Sequence, residues 1–289
     1  MISITQKTLQ DLEFETILQT IASRCNTDIG ETKALAIAPI NDKTELLINL
    51  QQTAEYLSSF SNNNVIPNHG FENIDYELKF LAIEDSFLEV ASFKKISNLT
   101  ETAITLIQFL KKFETYYPNL FQRTTSIECV KLIIQRIDEV IDKFGIIKDN
   151  ASPDLIDIRR SINVVRGKIN QSFGMALSQY NSLGYLDDIK ETVVENRRVL
   201  AVLAMYRRKV KGSILGTSKT GSIAYIEPEA AQRYSRELNN LEFEEREEIM
   251  RILKRLTNDI RPFIETITAY QELLSDVDVI AAKAKYANR

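Results

Sequence analysis

The chain has 289 residues, with 36 Lys plus Arg against 40 Asp plus Glu and a formal charge of -4, which taken whole argues against a basic nucleic-acid binder. Apolar residues make up 44% and charged residues 26%, a globular mixture that excludes disorder and low complexity. Nine Gly and six Pro are too few for a turn-rich β-sandwich or a doubly wound sheet, so a mainly α chain is expected. One histidine, His69, and two cysteines, Cys25 and Cys129, cannot furnish a zinc cluster or a His-based triad. The start lacks a basic segment followed by an apolar one, and no window approaches about 18 uninterrupted apolar residues. A soluble, cytoplasmic protein with reduced thiols and no membrane partner is expected.

Thr8 followed by Asp11 has capping-box spacing and predicts a first helix from about Thr8. Its Phe14, Ile17, Leu18 and Ile21 fall at i, i+3, i+4 and i+7, a core-facing stripe, and Gly30 lies beyond its end. Asn41 or Asp42 caps a second helix with Leu47, Leu50, Ala54 and Leu57 as its stripe, ended by the loop SNNNVIPNHG. Two or three helices fit between Glu72 and Tyr117, with breaks near Asp85 and at Pro118, and another runs from about Ser126 to Lys143. The first half is therefore a helical bundle. GIIKD at 145–149 is short and β-like, after which Ser152 and Pro153 supply the N-cap and N1 proline of a long helix.

In that helix Ile158, Ile162, Val165 and Ile169 form an apolar stripe, flanked by Arg159, Asn163, Arg166 and Asn170. Such a flank is either a solvated helix face or a phosphate-facing surface. Between about 192 and 228 β-branched alternation, three glycines in KGSILGTSKTG and the closing Pro228 predict two or three short antiparallel strands. Helix resumes after Pro228, with Ile249, Leu253, Leu256 and Ile260 on one face and a charged face that places Glu247 and Arg251 as an i, i+4 ion pair. Pro262 interrupts it, and DVDVIAAKAKYA carries it to the end. A long helix out, a small sheet and a long helix back would put the sheet at the tip of an antiparallel arm roughly 40 Å long, at 1.5 Å per residue.

Seven cations, Arg197, Arg198, Arg207, Arg208, Lys209, Lys211 and Lys219, fall between 197 and 219, where there is no acid. That window carries +7, leaving -11 on the other 266 residues. Cations at strand ends and in turns can grip phosphates without reading base edges, although lysines on exposed sheet edges also serve simply to prevent aggregation. GTSKTGS fails the phosphate-loop pattern, because Ser222 and not lysine follows Gly221, and reads as a hairpin turn. Asp187 with Asp188, and Glu244 with Glu245, read as helix-surface charges, His69 as a solvated loop residue, and the cysteines as core packing. No catalytic or metal-binding constellation emerges.

Specific motifs carry a family resemblance along nearly the whole chain. Asp149, Ala151-Ser152-Pro153, Leu155, Ile158 and Arg159 resemble the D-x-A-S-P-x-L-x-x-I-R signature that opens the clamp helix of the MutS-II group, the second bacterial MutS type. Arg198, Val199, Leu200, Val202, Tyr206-Arg207, Gly212, Ile214, Ser218, Gly221 and Tyr225-Ile226-Glu227-Pro228 resemble its R-x-V-L-P-V to F-I-E-P block. Asp278, Ile280, Ala282-Lys283-Ala284 and Tyr286-Ala287 are similar to the run that precedes the family's ATPase domain. Departures are Ala201 for a usual proline, Leu203 for a usual lysine, and Leu215-Gly216 where His-Asp is common.

The resemblance implies a helical core or lever domain over 1–150, a clamp over 151–260 with its β tip at about 192–228, and a helix over 261–289 returning towards an ATPase domain that is missing here. The chain would be a passive gripping fragment and not itself an enzyme, with ATP and Mg required only by the ATPase and a nuclease domain often ending the full protein. Its partners would be branched or duplex DNA, or the ribosome and its RNA, and the full-length protein would be a homodimer. Arg197, Arg198, Arg207, Arg208, Lys209, Lys211 and Lys219 would contact phosphate, with Arg159 and Arg166 along the arm. A different class of reading makes the fragment a protein-interaction module, docking through its acidic bundle.

Overall fold

The computed structural model describes residues 5–288 and is mainly helical with one small antiparallel sheet. The chain forms two compact units: one runs up to Lys148 and resumes at Leu253, and the other spans Asp149–Ile252.

The first unit opens with α1 (Gln6–Asp11) and α2 (Phe14–Ala22). Thr5 is the cap that the spacing assigned to Thr8: its hydroxyl accepts the Thr8 N–H at 3.2 Å. The single helix expected here is broken at Glu13, which takes a left-handed φ of 51°. Gly30, expected beyond the helix, lies inside α3 (Asp28–Leu35), which Thr27 caps. Asp42 caps α4 (Lys43–Ser58), accepting the Glu45 N–H at 2.7 Å.

The expected stripe of α4 does not face a core in this chain. Leu47 and Leu50 are exposed, because α4 packs on its neighbours through Gln52, Glu55 and Tyr56 in its second half. There follow α5 (Asp75–Ala82), α6 (Val90–Lys112), α7 (Pro118–Gln122, with proline at N1) and α8 (Leu132–Val140). Asp85 marks the predicted break with φ 61°. The helix expected over 126–143 is confined to α8, and the β-like stretch after it forms a bridge between Ile141 and Ile147.

The core of this unit lies along α6 and α11 (Ile264–Ala287). Phe93, Ile96, Leu99, Ala103, Leu106 and Leu110 of α6 are all inaccessible. α11 packs against α2, α3, α4, α5 and α6, and most of its residues between Tyr270 and Ala284 are buried.

One acidic side chain secures that helix. Asp278 is inaccessible and accepts the N–H groups of Asn26 and Thr27 at 2.9 Å and the Thr27 hydroxyl at 2.7 Å. His69, expected to be solvated, is 2% exposed, with Nε2 3.6 Å from Asp278 Oδ1. Gly30 is required by closeness and not by φ, since a Cβ there would stand 2.3 Å from Asp278 Oδ2. Burial would raise the Asp278 pKa, but His69, the Asn26 amide and Thr27 outweigh it and hold the carboxyl below its usual range. Cys25 beside it is pushed up to about 12 by burial and by Asp278. Cys129 is exposed and is not a core residue.

The second unit begins with α9 (Pro153–Ser182), whose Ser152 cap accepts the Leu155 N–H at 3.1 Å, with Pro153 at N1 as its sequence dictates. A sheet of β1 (Leu186–Val194), β2 (Arg197–Leu203), β3 (Gly212–Thr217) and β4 (Ile223–Pro228) follows, then α10 (Glu229–Ile260). The sheet has four strands where two or three were expected. It begins at Leu186, so Asp187 and Asp188 sit on β1 and not on a helix. In α10, Arg251 pairs with Glu248 at 2.6 Å and not with Glu247, and Glu248 is buried because the Ser152 hydroxyl donates to it. A turn of 3-10 helix at Arg261–Phe263 carries Pro262 into α11. Among the described residues no helix is long and apolar enough to cross a membrane.

Replacing Asp278 by Asn keeps the shape but turns an amide towards donors. Asp278→Asn is expected to cost about 2–4 kcal/mol, read as a lower urea midpoint. Because the folded carboxyl titrates below its ordinary value, its stabilisation is complete above about pH 4 and is lost as pH falls through the folded value. The acid limb of the stability curve should therefore be shallower in the variant.

Candidate nucleic-acid interface

The sheet of the second unit is ordered β1-β2-β4-β3 and antiparallel throughout. Leu200 and Val202 of β2 face Ile226 and Ala224 of β4 across the ladder. These four side chains pack with Phe173, Ala176 and Tyr180 from the last turns of α9. Since β2 and β3 are both antiparallel to β4, they run the same way, and residues 204–211 between them must cross a face of the sheet. Val210 and Tyr206 join the same cluster, and the Lys211 N–H donates to the Tyr180 hydroxyl at 3.2 Å. The crossing therefore runs on the α9 face, and the core that anchors it also presents its charged residues outward.

Glycine has three structural uses here. Gly184, at φ +69°, ends α9 in a Schellman motif, with Tyr185 N–H on the Tyr180 carbonyl and Gly184 N–H on that of Asn181. Gly221, at φ +70°, turns β3 into β4, where the Ser218 hydroxyl accepts the Ile223 N–H at 3.1 Å. GTSKTGS is thus a hairpin turn, as its sequence reads. Gly212 allows close approach: a Cβ would lie 2.1 Å from the Glu227 carbonyl oxygen. The β1–β2 turn uses Glu195 and Asn196 instead, both at positive φ, as a two-residue hairpin turn requires.

The nine cations singled out by sequence separate into two groups. Arg197 donates to Glu227 at 3.0 Å. Glu227 is 2% exposed and also receives the Ser235 hydroxyl at 2.6 Å. Arg198 lies over the Phe173 ring at 4.3 Å and bonds Glu191 at 2.6 Å and Asn170 at 3.0 Å. Arg159 holds Asp149 and Glu245, and Arg166 holds Glu242 at 3.1 Å. Burial lowers the Arg159 pKa, but the hydrogen bonds to Glu245 and Asp149 outweigh it and raise it.

Arg207, Arg208, Lys209, Lys211 and Lys219 are exposed, and among the described residues no carboxylate pairs with them. Lys209 instead sits 5.7 Å from the Tyr185 ring and 5.5 Å from that of Tyr206. Over 186–228 the strands carry eight basic and five acidic residues, so the positive surplus is smaller than the acid-free window suggests. It is concentrated on the crossing and the β3–β4 turn. Arg166, Arg197 and Arg198 also line a polar cleft of about 280 Å³. That volume is at the lower edge of small-molecule sites, and Glu227 and Glu242 already balance its charge. Sequence reasoning missed Tyr185 and the role of Glu227, since neither lies in a charge run.

The block between Arg198 and Pro228 folds as one sheet with its crossing, and the ASP motif caps the helix leading to it, the layout that the resemblance to the MutS-II group implies. No family model matches the chain. It is similar over 286 residues to the Endonuclease MutS2 of Lacticaseibacillus casei, at 29% identity, covering 98% of this chain and 36% of that protein. The Endonuclease MutS2 of Symbiobacterium thermophilum is 26% identical over 280 residues, covering 97% of this chain and 35% of the relative. That of Leuconostoc mesenteroides is 29% identical over 295 residues, covering 99% and 36%. The chain is similar to these MutS2 proteins along nearly its whole length and spans about 36% of theirs.

Gly212→Ala forces β3 away from β4 or distorts the Glu227 backbone. A loss of about 2–3 kcal/mol is expected, measured as a lower melting temperature with earlier proteolytic cleavage between 212 and 228.

Proposed function

We propose that the second unit is a sequence-independent nucleic-acid grip, the clamp of a MutS-II protein, and that the first unit serves as the lever through which an ATPase acts on it. The observation that carries this reading is the exposed, carboxylate-free set Arg207, Arg208, Lys209, Lys211 and Lys219 on the crossing and turn of one sheet. Phosphates are the complement of such a set, and contacts to them carry no sequence information. Arg159, Arg166, Arg197 and Arg198 hold the scaffold that presents the grip and reach phosphate only if their carboxylate partners yield. Recombination suppression on branched DNA, ribosome rescue, homodimerisation, ATP hydrolysis with Mg and nuclease action belong, in this reading, to the full-length protein in the cytoplasm.

Five phosphate contacts on duplex DNA predict that log affinity falls with log salt at a slope of about -4.5. Replacing Arg207, Arg208 and Lys209 together by Ala should reduce the slope by about 2.7, measured by fluorescence anisotropy from about 50 to 200 mM salt. A salt-independent affinity, or an unchanged slope in the triple variant, would defeat the reading.

A second reading has its own support. Leu46, Leu47, Ile48 and Leu50 are exposed on α4, and the chain outside 197–219 carries -11, features that suit a protein or ribosome-docking surface. Replacing Leu47 and Leu50 by Ser should weaken association with ribosomes on gradients while leaving DNA affinity unchanged if this reading holds.

A further inference from the structure

The aromatic side chains beside the unpaired cations carry an inference that rests on the phosphate-contact reading and deepens it. Three tyrosines converge from three segments: Tyr180 from α9, Tyr185 from its Schellman exit, and Tyr206 from the 3-10 turn after β2. Tyr185 and Tyr206 stack with centroids 4.5 Å apart and planes inclined by 21°, and Tyr180 lies 6.3 Å from Tyr185 at 23°. Tyr185 and Tyr206 are only half-buried. Met205, next in sequence, is 75% exposed, and Arg207 and Arg208 follow Tyr206 directly. Lys209 stands near both rings.

We propose that Tyr206, at the end of the stack and backed by Tyr185, forms with Met205 a stacking platform for an unpaired nucleobase, so that this end of the sheet grips unpaired nucleotides by base as well as by phosphate. Each part has a physical use. A base has a π face whatever its identity, so stacking on an aromatic ring adds affinity without adding sequence preference. The thioether of Met205 is a soft apolar surface that leaves no polar group unsatisfied beside a base. Arg207, Arg208 and Lys209 supply charge for the phosphates on either side. Within a duplex the bases already stack on one another, so a paired base cannot use the platform without leaving its stack.

The platform is also held before any ligand arrives. The Leu203 N–H donates to the Tyr185 carbonyl at 3.0 Å, the Ala204 N–H to that of Ser222 at 2.9 Å, and the Lys209 N–H to that of Tyr206 at 2.8 Å. Both rings are therefore carried on fixed backbone, which lowers the ordering cost of binding.

The test compares a single-stranded DNA oligonucleotide with an abasic oligonucleotide of the same length and charge, using the full 289-residue chain. The base-bearing strand should bind roughly five- to fiftyfold more tightly, and Tyr206→Leu or Met205→Ala should shrink that ratio while leaving the affinity for the abasic strand unchanged. Because the chain has no tryptophan, the Tyr206→Trp variant gives a unique emission that the base-bearing strand should quench and the abasic strand should not. Met205 is exposed, so its replacement keeps the test valid if Tyr206→Leu fails to fold. An RNA strand in place of DNA asks whether the 2′-hydroxyl matters, and stacking predicts similar quenching from both. Equal binding of the two DNA strands, with unquenched emission, overturns the platform while leaving the phosphate grip intact. Failure to bind either strand overturns the phosphate grip as well.

Discussion

Glu227 is almost inaccessible to water, and a carboxylate in that position needs donors in place of its lost hydration. It is met by Arg197 from β2 and by Ser235 from α10, while its own backbone carbonyl accepts from the Gln232 side chain. β2, β4 and the start of α10 thereby converge at one end of the sheet. The same interaction decides what the neighbouring surface can do. With Arg197 held by Glu227, and Arg198 held by Glu191 and stacked on Phe173, the cations nearest the helices become part of the scaffold. The positive charge left to face solvent on the sheet is that of the crossing and the turn, with Lys190 on β1. The cations of the crossing stay free because Glu191, Glu227, Glu242 and Glu245 are placed beside other arginines.

The first unit uses a buried carboxylate differently. Asp278 serves backbone N–H groups at the junction of α2 and α3, where a helix begins and its donors would otherwise be unpaired. It joins the N-terminal helices to α11, and Gly30 is needed so that the approach is possible at all. Ion pairs to Asp276 from Lys33 at 2.7 Å and Arg123 at 2.7 Å add to the same face of α11. The half-exposed pairs contribute little on their own, and the inaccessible carboxylate with three donors carries most of the specificity.

Several local rules in the sequence are followed, although Thr5 and not Thr8 caps α1 and Arg251 pairs with Glu248 and not Glu247. Ser152-Pro153 begins α9 as an N-cap and N1 proline, Asp42 caps α4, and the scarcity of Gly and Pro fits a helical chain. The misses come from tertiary context. Leu47 and Leu50 repeat at helical spacing yet lie exposed, since periodicity defines a face but not what covers it. His69 sits in a polar loop but is buried because Asp278, over two hundred residues away, lies opposite. Arg159 and Arg166 flank their own helix, while Glu245 and Glu242, which meet them, lie on α10 some eighty residues later. The charge run from Arg197 to Lys219 was readable as a basic site, but its division into held and free cations depends on strand pairing that no local window contains.

The positions that depart from the family block bear on the same division. Leu203 replaces a usual lysine at the end of β2, where the chain turns towards Tyr206, and its N–H is tied to the Tyr185 carbonyl. An apolar side chain there removes one charge from the start of the crossing and leaves the backbone contact unchanged. Leu215-Gly216 replaces a usual His-Asp pair where the register between β3 and β4 slips between Ile214 and Gly216. Without the aspartate, the edge strand carries no acid beside Lys219 and the free cations of the crossing. The two departures alter surface charge in opposite directions, one removing a cation and the other an anion.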